Sequence, residues 1–348
     1  MGNTVHVIGT GTIGEPLIGL LADNKKALGI DEVTFHKRTP LPYERAKVMD
    51  MTRRGAVLAV DDGRAAEFEA IGLAPRLGAS EAIARATVVI DCTPAGNANK
   101  AALYSSAGGP KGFIAQGSEH GFGLPYAVGI NDAALRGAGR FVQVASCNTH
   151  NLCALLKALA LDDDDGNHLV DGRFVCMRRS SDVSQDEMAP GPTANGHKDK
   201  RFGTHHARDA HGVFGTLGHD LPIWSSAMEM PTQYMHCVWF SLILDREMTS
   251  AEALGRLAAA PRMSMTKRTS ANQVFSFGRD HGYFGRLFSQ AVVVEQSVTS
   301  RGREVVGFCF TPQDGNSLLS SLAATLWFTE GDTGRAESLM APYLFKEV

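Results

Sequence analysis

Cys147 stands at a junction in the sequence. An apolar run, RFVQVA at 140–145, leads into Ser146. The polar residues Asn148, Thr149, His150 and Asn151 lead out into LCALLKALA, whose apolar positions have helical spacing. A cysteine between a strand and a helix meets unpaired backbone N–H groups and the positive end of a helix dipole, both of which favour the thiolate. The same N–H groups suit the oxyanion of a tetrahedral adduct. The plainer reading is a small hydrophobe in a core, since free cysteines are often buried. Cys153, within the expected helix, takes that plainer reading, as do Cys92, Cys176, Cys237 and Cys309 inside apolar runs.

A second constellation opens the chain. Gly9-Thr10-Gly11-Thr12-Ile13-Gly14 is G-x-G-x-x-G, set between a short β-rich run and an apolar-periodic helix. Gly9 and Gly11 permit a tight turn close to a pyrophosphate, Gly14 lets the helix pack, and the helix N-terminus offers free N–H groups to the anion. An acidic residue about 20 positions further on usually holds the ribose 2′-hydroxyl of NAD. Here the second expected strand, EVTFHKR at 32–38, ends in His36-Lys37-Arg38-Thr39. Lys37 and Arg38 suit a 2′-phosphate, so NADP is the expected cofactor, with NAD beside it. A solvated basic turn is the alternative. A nicotinamide dinucleotide and a thiolate together suggest aldehyde oxidation through a hemithioacetal and a thioester, released by water or phosphate.

Histidines crowd the segment 183–221, which is rich in Gly, Pro and charge and has little apolar periodicity. A loop of that length inside a compact domain is often functional. His205 and His206 are adjacent, a poor arrangement for one metal ion, and no metal is expected. The acids of LDDDDGNHLVDG lack calcium-loop spacing and read as a solvated loop. His236 lies in the apolar run QYMHCVWFSLIL, where a satisfied core histidine is the default. A pKa near neutrality would suit it equally to proton transfer.

These residues need two domains to hold them, and 348 residues suit two cores of ordinary size. Short apolar runs at 86–96, 111–119 and 140–148 alternate with helical stretches and predict an α/β, doubly wound Rossmann domain with a parallel sheet. Beyond it, a strand at 173–182, another at 233–244, a helix at 250–261 and two strands joined by a turn at 300–303 predict an α+β domain with a mainly antiparallel sheet. The expected boundaries are 1–147 for the dinucleotide domain, completed by C-terminal helices at 314–348, and 148–313 for the catalytic domain. A formal net charge of −3 gives no basic field for nucleic acid. No run of about 18 apolar residues predicts a membrane span. Without a signal peptide or a C-x-x-C pair, a reducing, cytoplasmic setting is expected.

The ordered set of motifs resembles the archaeal-type (type II) glyceraldehyde-3-phosphate dehydrogenases. GTGTIG resembles that family's glycine loop, and ASCNTHNLC its nucleophile segment Ser-Cys-Asn-Thr-Thr-Gly-Leu-Cys. MRRSSD resembles an Arg-Arg-Ala-Ala-Asp stretch, GTHHARDA a His-His segment, and MPTQYMH a Pro-Thr-Thr-x-Met-His strand. FGRDHGYFGR and FTPQDGNSL have counterparts near the family's C-terminus. The chain departs from the pattern at His150-Asn151 and at Ser180-Ser181. The resemblance implies that Cys147 is the nucleophile, flanked at the substrate by Ser146 and Asn148, with His236 as base. It implies cofactor contacts from Thr12, Ile13, Gly117, Arg179 and Gln313, with Lys37 in the 2′-phosphate region. It implies that His205 and His206 touch a phosphorylated aldehyde, that inorganic phosphate accepts the acyl group, and that the protein is a homotetramer of central carbon metabolism. A semialdehyde dehydrogenase is the alternative enzyme, and a dinucleotide-binding sensor the alternative without catalysis.

Overall fold

The computed structural model describes residues 2–117, 119–162, 166–181, 186–312 and 314–348. The chain forms two compact units. The first comprises Met1–Leu124, Leu135–Val144 and Ser320–Leu339; the second comprises Pro125–Ala134, Ala145–Leu319 and Met340–Val348.

The first sheet is built on strands β1 (Thr4–Ile8), β2 (Glu32–His36), β3 (Val57–Val60), β4 (Leu77–Gly78), β5 (Val88–Asp91), β6 (Gly112–Gln116), β7 (Leu124–Tyr126) and β8 (Phe141–Val144), all but the end of β7 in the first unit. Their order is β4-β3-β2-β1-β5-β6-β8-β7. The pairs from β4 through to β8 are parallel. Buried on both faces, these strands read as short runs of Val, Ile and Phe rather than as an alternation. Val5, Val7, Val88, Val89, Ile90, Phe113 and Ile114 are wholly buried. The chain moves outward from β1 through β2, β3 and β4, then returns to β5 on the other side. That reversal is the switch point where an open parallel sheet binds ligands. Gly9 follows β1 there, and Cys92-Thr93-Pro94 follows β5.

The second unit carries β9 (Leu169–Arg179), β10 (Thr193–Ala194), β11 (Ile223–Met230), β12 (His236–Leu244), β13 (Met263–Thr266), β14 (Ala291–Val294), β15 (Thr299–Arg301) and β16 (Glu304–Thr311). The order is β10-β11-β9-β12-β16-β14-β13, with β15 on β16. The sheet is mainly antiparallel, but β11 with β9 and β13 with β14 run parallel. The helix Cys147–Ala160 lays Leu152, Leu155, Leu156 and Leu159 into one core with Phe174, Val238, Phe240 and Cys309 of the sheet.

The α/β class with its parallel sheet and second, mainly antiparallel sheet is as expected from the sequence. Two local readings are corrected. The pair of strands expected between 288 and 312 is three strands, and the turn at 300–303 joins only β15 to β16. The segment 183–221 is not a plain loop: it contains the helix His205–Gly215. The acids Asp163, Asp164 and Asp165 of the expected solvated loop lie outside the described residues. No helix among the described residues is long and apolar enough to cross a membrane.

Candidate functional site

In the second unit, Ser146 caps the helix Cys147–Ala160. Its hydroxyl accepts from the Thr149 N–H at 3.3 Å, the usual way to satisfy an orphan donor of a first turn. Cys147 is therefore the first helical residue and Asn148 the second. Asn316 Nδ2 donates to the Cys147 carbonyl at 3.0 Å and fixes the backbone at this point. The side chain of Asn148 is fixed by a relay. Thr311, the last residue of β16, donates its hydroxyl to Asn148 Oδ1 at 2.9 Å. Asn151 Nδ2 donates to the same Thr311 oxygen at 2.9 Å, and Cys309 Sγ donates to Asn151 Oδ1 at 3.1 Å. The relay occupies the carbonyl end of Asn148, so its amide N–H groups remain for other partners.

The dipole argument for a thiolate at Cys147 does not hold at rest. The thiol pKa is pushed up to about 12, first by burial and then by the carboxylate of Asp314. Arg179, the Asn148 N–H and Arg178 oppose the shift but do not cancel it. Half a charge at a helix end is worth less than the hydration a thiolate loses at this partly buried position.

His236 opens β12 directly opposite Thr311 in the sheet register. The backbone N–H of Arg179 donates to His236 Nδ1 at 2.9 Å. A backbone N–H can only donate, so Nδ1 is the bare nitrogen and a neutral ring carries its proton on Nε2. Burial, then Arg179 and Arg178, hold the His236 pKa well below the ordinary value, so the ring is neutral near pH 7. Nε2 is therefore a donor at rest, and the base expected at this position needs the other tautomer. The Arg179 guanidinium pairs with Asp314, Nη2 to Oδ2 at 3.3 Å, both side chains being almost fully buried. Asp314 adopts φ of +55°, a left-handed conformation that favours glycine or asparagine. Gln313, expected at the cofactor, lies outside the described residues.

His205 and His206 begin the helix His205–Gly215. His206 is buried, and among the described residues neither of its ring nitrogens has a hydrogen-bond partner. Burial, then the charges of His205, Arg178 and His236, hold its pKa well below the usual value. His205 is also shifted down, chiefly by burial. Beside it, Arg178, Lys198, Arg208 and His205 line a pocket of about 300 Å³. The sequence reading did not single out Arg178, Lys198, Arg208, Thr311 or Asp314. Arg178 adjoins a residue that was named; Lys198 and Arg208 gave no signal beyond their charge. Among the described residues, no three His, Cys, Asp or Glu side chains form a metal-binding group.

The first unit holds the glycine loop. Gly9 has φ of +94°, and a Cβ on Gly14 would lie 2.0 Å from the Gly9 carbonyl, so both positions require glycine. The helix Gly14–Asn24 starts without a side-chain cap at Ile13; Pro16 has no N–H, and the N–H groups of Glu15 and Leu17 donate to the carbonyls of Gly11 and Ile13 within the turn. Gly11 and Thr12 lie between Gly9 and Gly14 in the turn. Gly117 follows β6 at φ of +72°, and its carbonyl accepts from Gln143 Nε2 at 3.3 Å. A groove of about 460 Å³ runs beside the loop, lined by Gly9, Thr10, Lys37, Arg38 and the segment Thr93-Pro94-Ala95. A glycine turn, an uncapped helix start and an adjoining groove fit a dinucleotide.

The end of β2 differs from its appearance in the sequence. Two carboxylates arrive from elsewhere. Asp61 pairs with His36 Nε2 at 2.8 Å. Glu44 takes Lys37 Nζ in a close pair and Lys47 Nζ at 2.7 Å. Arg38 is exposed.

No family model matches the chain. Whole-chain comparison finds a glyceraldehyde-3-phosphate dehydrogenase of Metallosphaera sedula, 30% identical over 86% of this chain and 85% of its own. One of Aeropyrum pernix is 30% identical over 87% of this chain and 85% of its own. The chain belongs to the archaeal-type glyceraldehyde-3-phosphate dehydrogenase family. One of Methanococcoides burtonii is 26% identical over 96% of both chains. The resemblance read from the motifs is thus borne out over most of the chain. The family and the Rossmann sheet imply a nicotinamide dinucleotide as cofactor.

Proposed function

We propose that this protein oxidises glyceraldehyde 3-phosphate with a nicotinamide dinucleotide and inorganic phosphate, or runs the reverse reduction of 1,3-bisphosphoglycerate, through a thioester on Cys147. The observation that carries the reading is the linked set around the cysteine. Arg179 and Asp314 act on its thiol, His236 is tied to Arg179, Thr311 fixes Asn148, and a cationic pocket adjoins His205.

Cys147 Sγ attacks the aldehyde carbon, and the thiol proton ends on the aldehyde oxygen, giving a neutral hemithioacetal. Asn148 Nδ2 and His236 Nε2–H are the donors that stabilise the oxyanion on the way. A bound nicotinamide supplies the acceptor for the hydride that leaves the same carbon. As the hydride leaves, the hydroxyl proton passes to solvent and the thioester carbonyl forms. An oxygen of hydrogen phosphate then attacks the thioester carbon, the C–S bond breaks, Cys147 leaves as the thiolate and takes up the proton the phosphate loses, and the acyl phosphate is released. His205, His206, Arg178, Lys198 and Arg208 hold the phosphoryl groups; the orphaned nitrogens of His206 support a ligand contact there. Ser146 positions the first helical turn. Arg179 and Gln313 belong to the cofactor, with Thr12, Ile13 and Gly117. The domain division 1–147 with 314–348, against 148–313, is part of this proposal, as are the homotetramer, a place in central carbon metabolism and the cytoplasmic setting. Six free thiols agree with a reducing compartment.

The test follows reduced nicotinamide during oxidation of glyceraldehyde 3-phosphate by each dinucleotide, with and without phosphate. Turnover that needs phosphate is expected. Equal turnover of free glyceraldehyde, or none with the phosphorylated aldehyde under any condition, overturns the reading.

A further inference from the structure

The basic pair at the end of β2 does not act as a pair. Lys37 Nζ is held by Glu44 Oε2, and Lys47 Nζ by Glu44 Oε1 at 2.7 Å. Lys47 also donates to the carbonyl of Thr10, inside the glycine loop, at 3.0 Å. Glu44 ends a single tight turn, Pro42–Glu44, that leads into the helix Arg45–Arg53, so Lys47 lies one helical turn further on. The three side chains are only 12–22% exposed, which reduces the solvent screening that weakens open surface pairs. Burial works against the Glu44 carboxylate, but Lys37 and Lys47 outweigh it and hold the pKa below the ordinary value, so Glu44 is charged at neutral pH. Arg38 is different. It is exposed, and its backbone carbonyl accepts from Arg64 Nη1 at 2.9 Å.

We propose that Glu44 determines which dinucleotide this protein prefers: it occupies Lys37 and Lys47, and it leaves Arg38, among the described residues at the end of β2, as the cation available to a 2′-phosphate. The proposal rests on the dinucleotide reading above. A 2′-phosphate that recruits Lys37 must break an existing ion pair to make a new one, and it places its own charge near the Glu44 carboxylate. The net gain from Lys37 is therefore small. A 2′-hydroxyl meets neither effect. The preference for NADP is then smaller than two free cations would give and depends on Arg38.

The experiment is calorimetric titration of the full-length protein with NADP⁺ and with NAD⁺, scoring the ratio of the two dissociation constants. Glu44→Gln keeps the shape and an acceptor for Lys47 while removing the charge. It should move the ratio about tenfold toward NADP⁺, the size of one released hydrogen bond to a charged group. Glu44→Asp keeps the charge and should shift the ratio far less. Arg38→Ala should move it about tenfold toward NAD⁺. Wild-type binding of both dinucleotides with a ratio that Glu44→Gln leaves alone overturns the role of Glu44 and spares the dinucleotide reading. A wild-type protein that binds neither dinucleotide overturns both.

Discussion

Cys147 meets two opposing fields: a helix start that favours its thiolate, and burial beside the Asp314 carboxylate that disfavours it. Burial wins, and the thiol of the free protein sits at about 12. Because the protonated form is favoured, the thiolate fraction rises about tenfold per pH unit below that value. Alkylation of Cys147 should therefore climb steadily from pH 7 to pH 10 without a plateau. Asp314→Asn removes a charge that raises the pKa, so alkylation at pH 8 should speed up severalfold. An unchanged rate would show that Asp314 does not act on the sulfur. Cys147→Ser should keep dinucleotide binding and lose turnover by several orders of magnitude, since an alkoxide is much harder to form. Mass spectrometry should find the acyl adduct on Cys147 and not on wholly buried Cys153. His236→Asn keeps an acceptor for the Arg179 N–H but withdraws the donor from the Nε2 position, and kcat should fall by about 10²–10³-fold with an unaltered melting temperature. Normal turnover in that variant would make His236 a packing residue. The cysteine was legible because a strand-to-helix junction shows in the local pattern. The tautomer of His236 was not, because its donor is the main chain of Arg179, 57 positions away.

The helix Cys147–Ala160 and strand β16 act together through one hydroxyl. Thr311 accepts from Asn151 and donates to Asn148, so Asn151, where the family pattern has glycine, serves the helix start through the neighbouring strand. Thr311→Val should leave two buried amide groups unpaired and destabilise the fold by about 2–4 kcal/mol, measured by chemical denaturation. kcat/KM should fall with it. A variant as stable as the wild type would show that water replaces the relay. At this scale the strands of the first sheet were readable, because fully buried parallel strands are runs of apolar residues. The helix His205–Gly215 was not readable. Its buried face is His206, Ala207, Asp209, Ala210, Val213 and Phe214, and two polar residues on that face break the apolar period. The parallel pairs of the second sheet were hidden too, since pairing partners are not adjacent in sequence.

For the molecule as a whole, the succession of strands and helices was enough to read two units of different sheet type. The charges that select a dinucleotide were not legible, because Glu44 and Asp61 reach the end of β2 through folding and not through proximity in sequence. One feature of the first unit bears on how the chain is made. That unit opens with β1 and closes only with Ser320–Leu339. Ser321 accepts from Gln116 of β6 at 2.6 Å, and the ring of Phe328 covers Gly112 so closely that a Cβ there would lie 2.3 Å from it. During synthesis, β1 to β8 emerge long before the segment that covers β6. The growing chain must carry an uncovered apolar sheet face past the ribosome while the second unit is still being translated. A chain stalled after residue 313 should stay protease-sensitive within its first 124 residues, and it is there that a chaperone would be recruited.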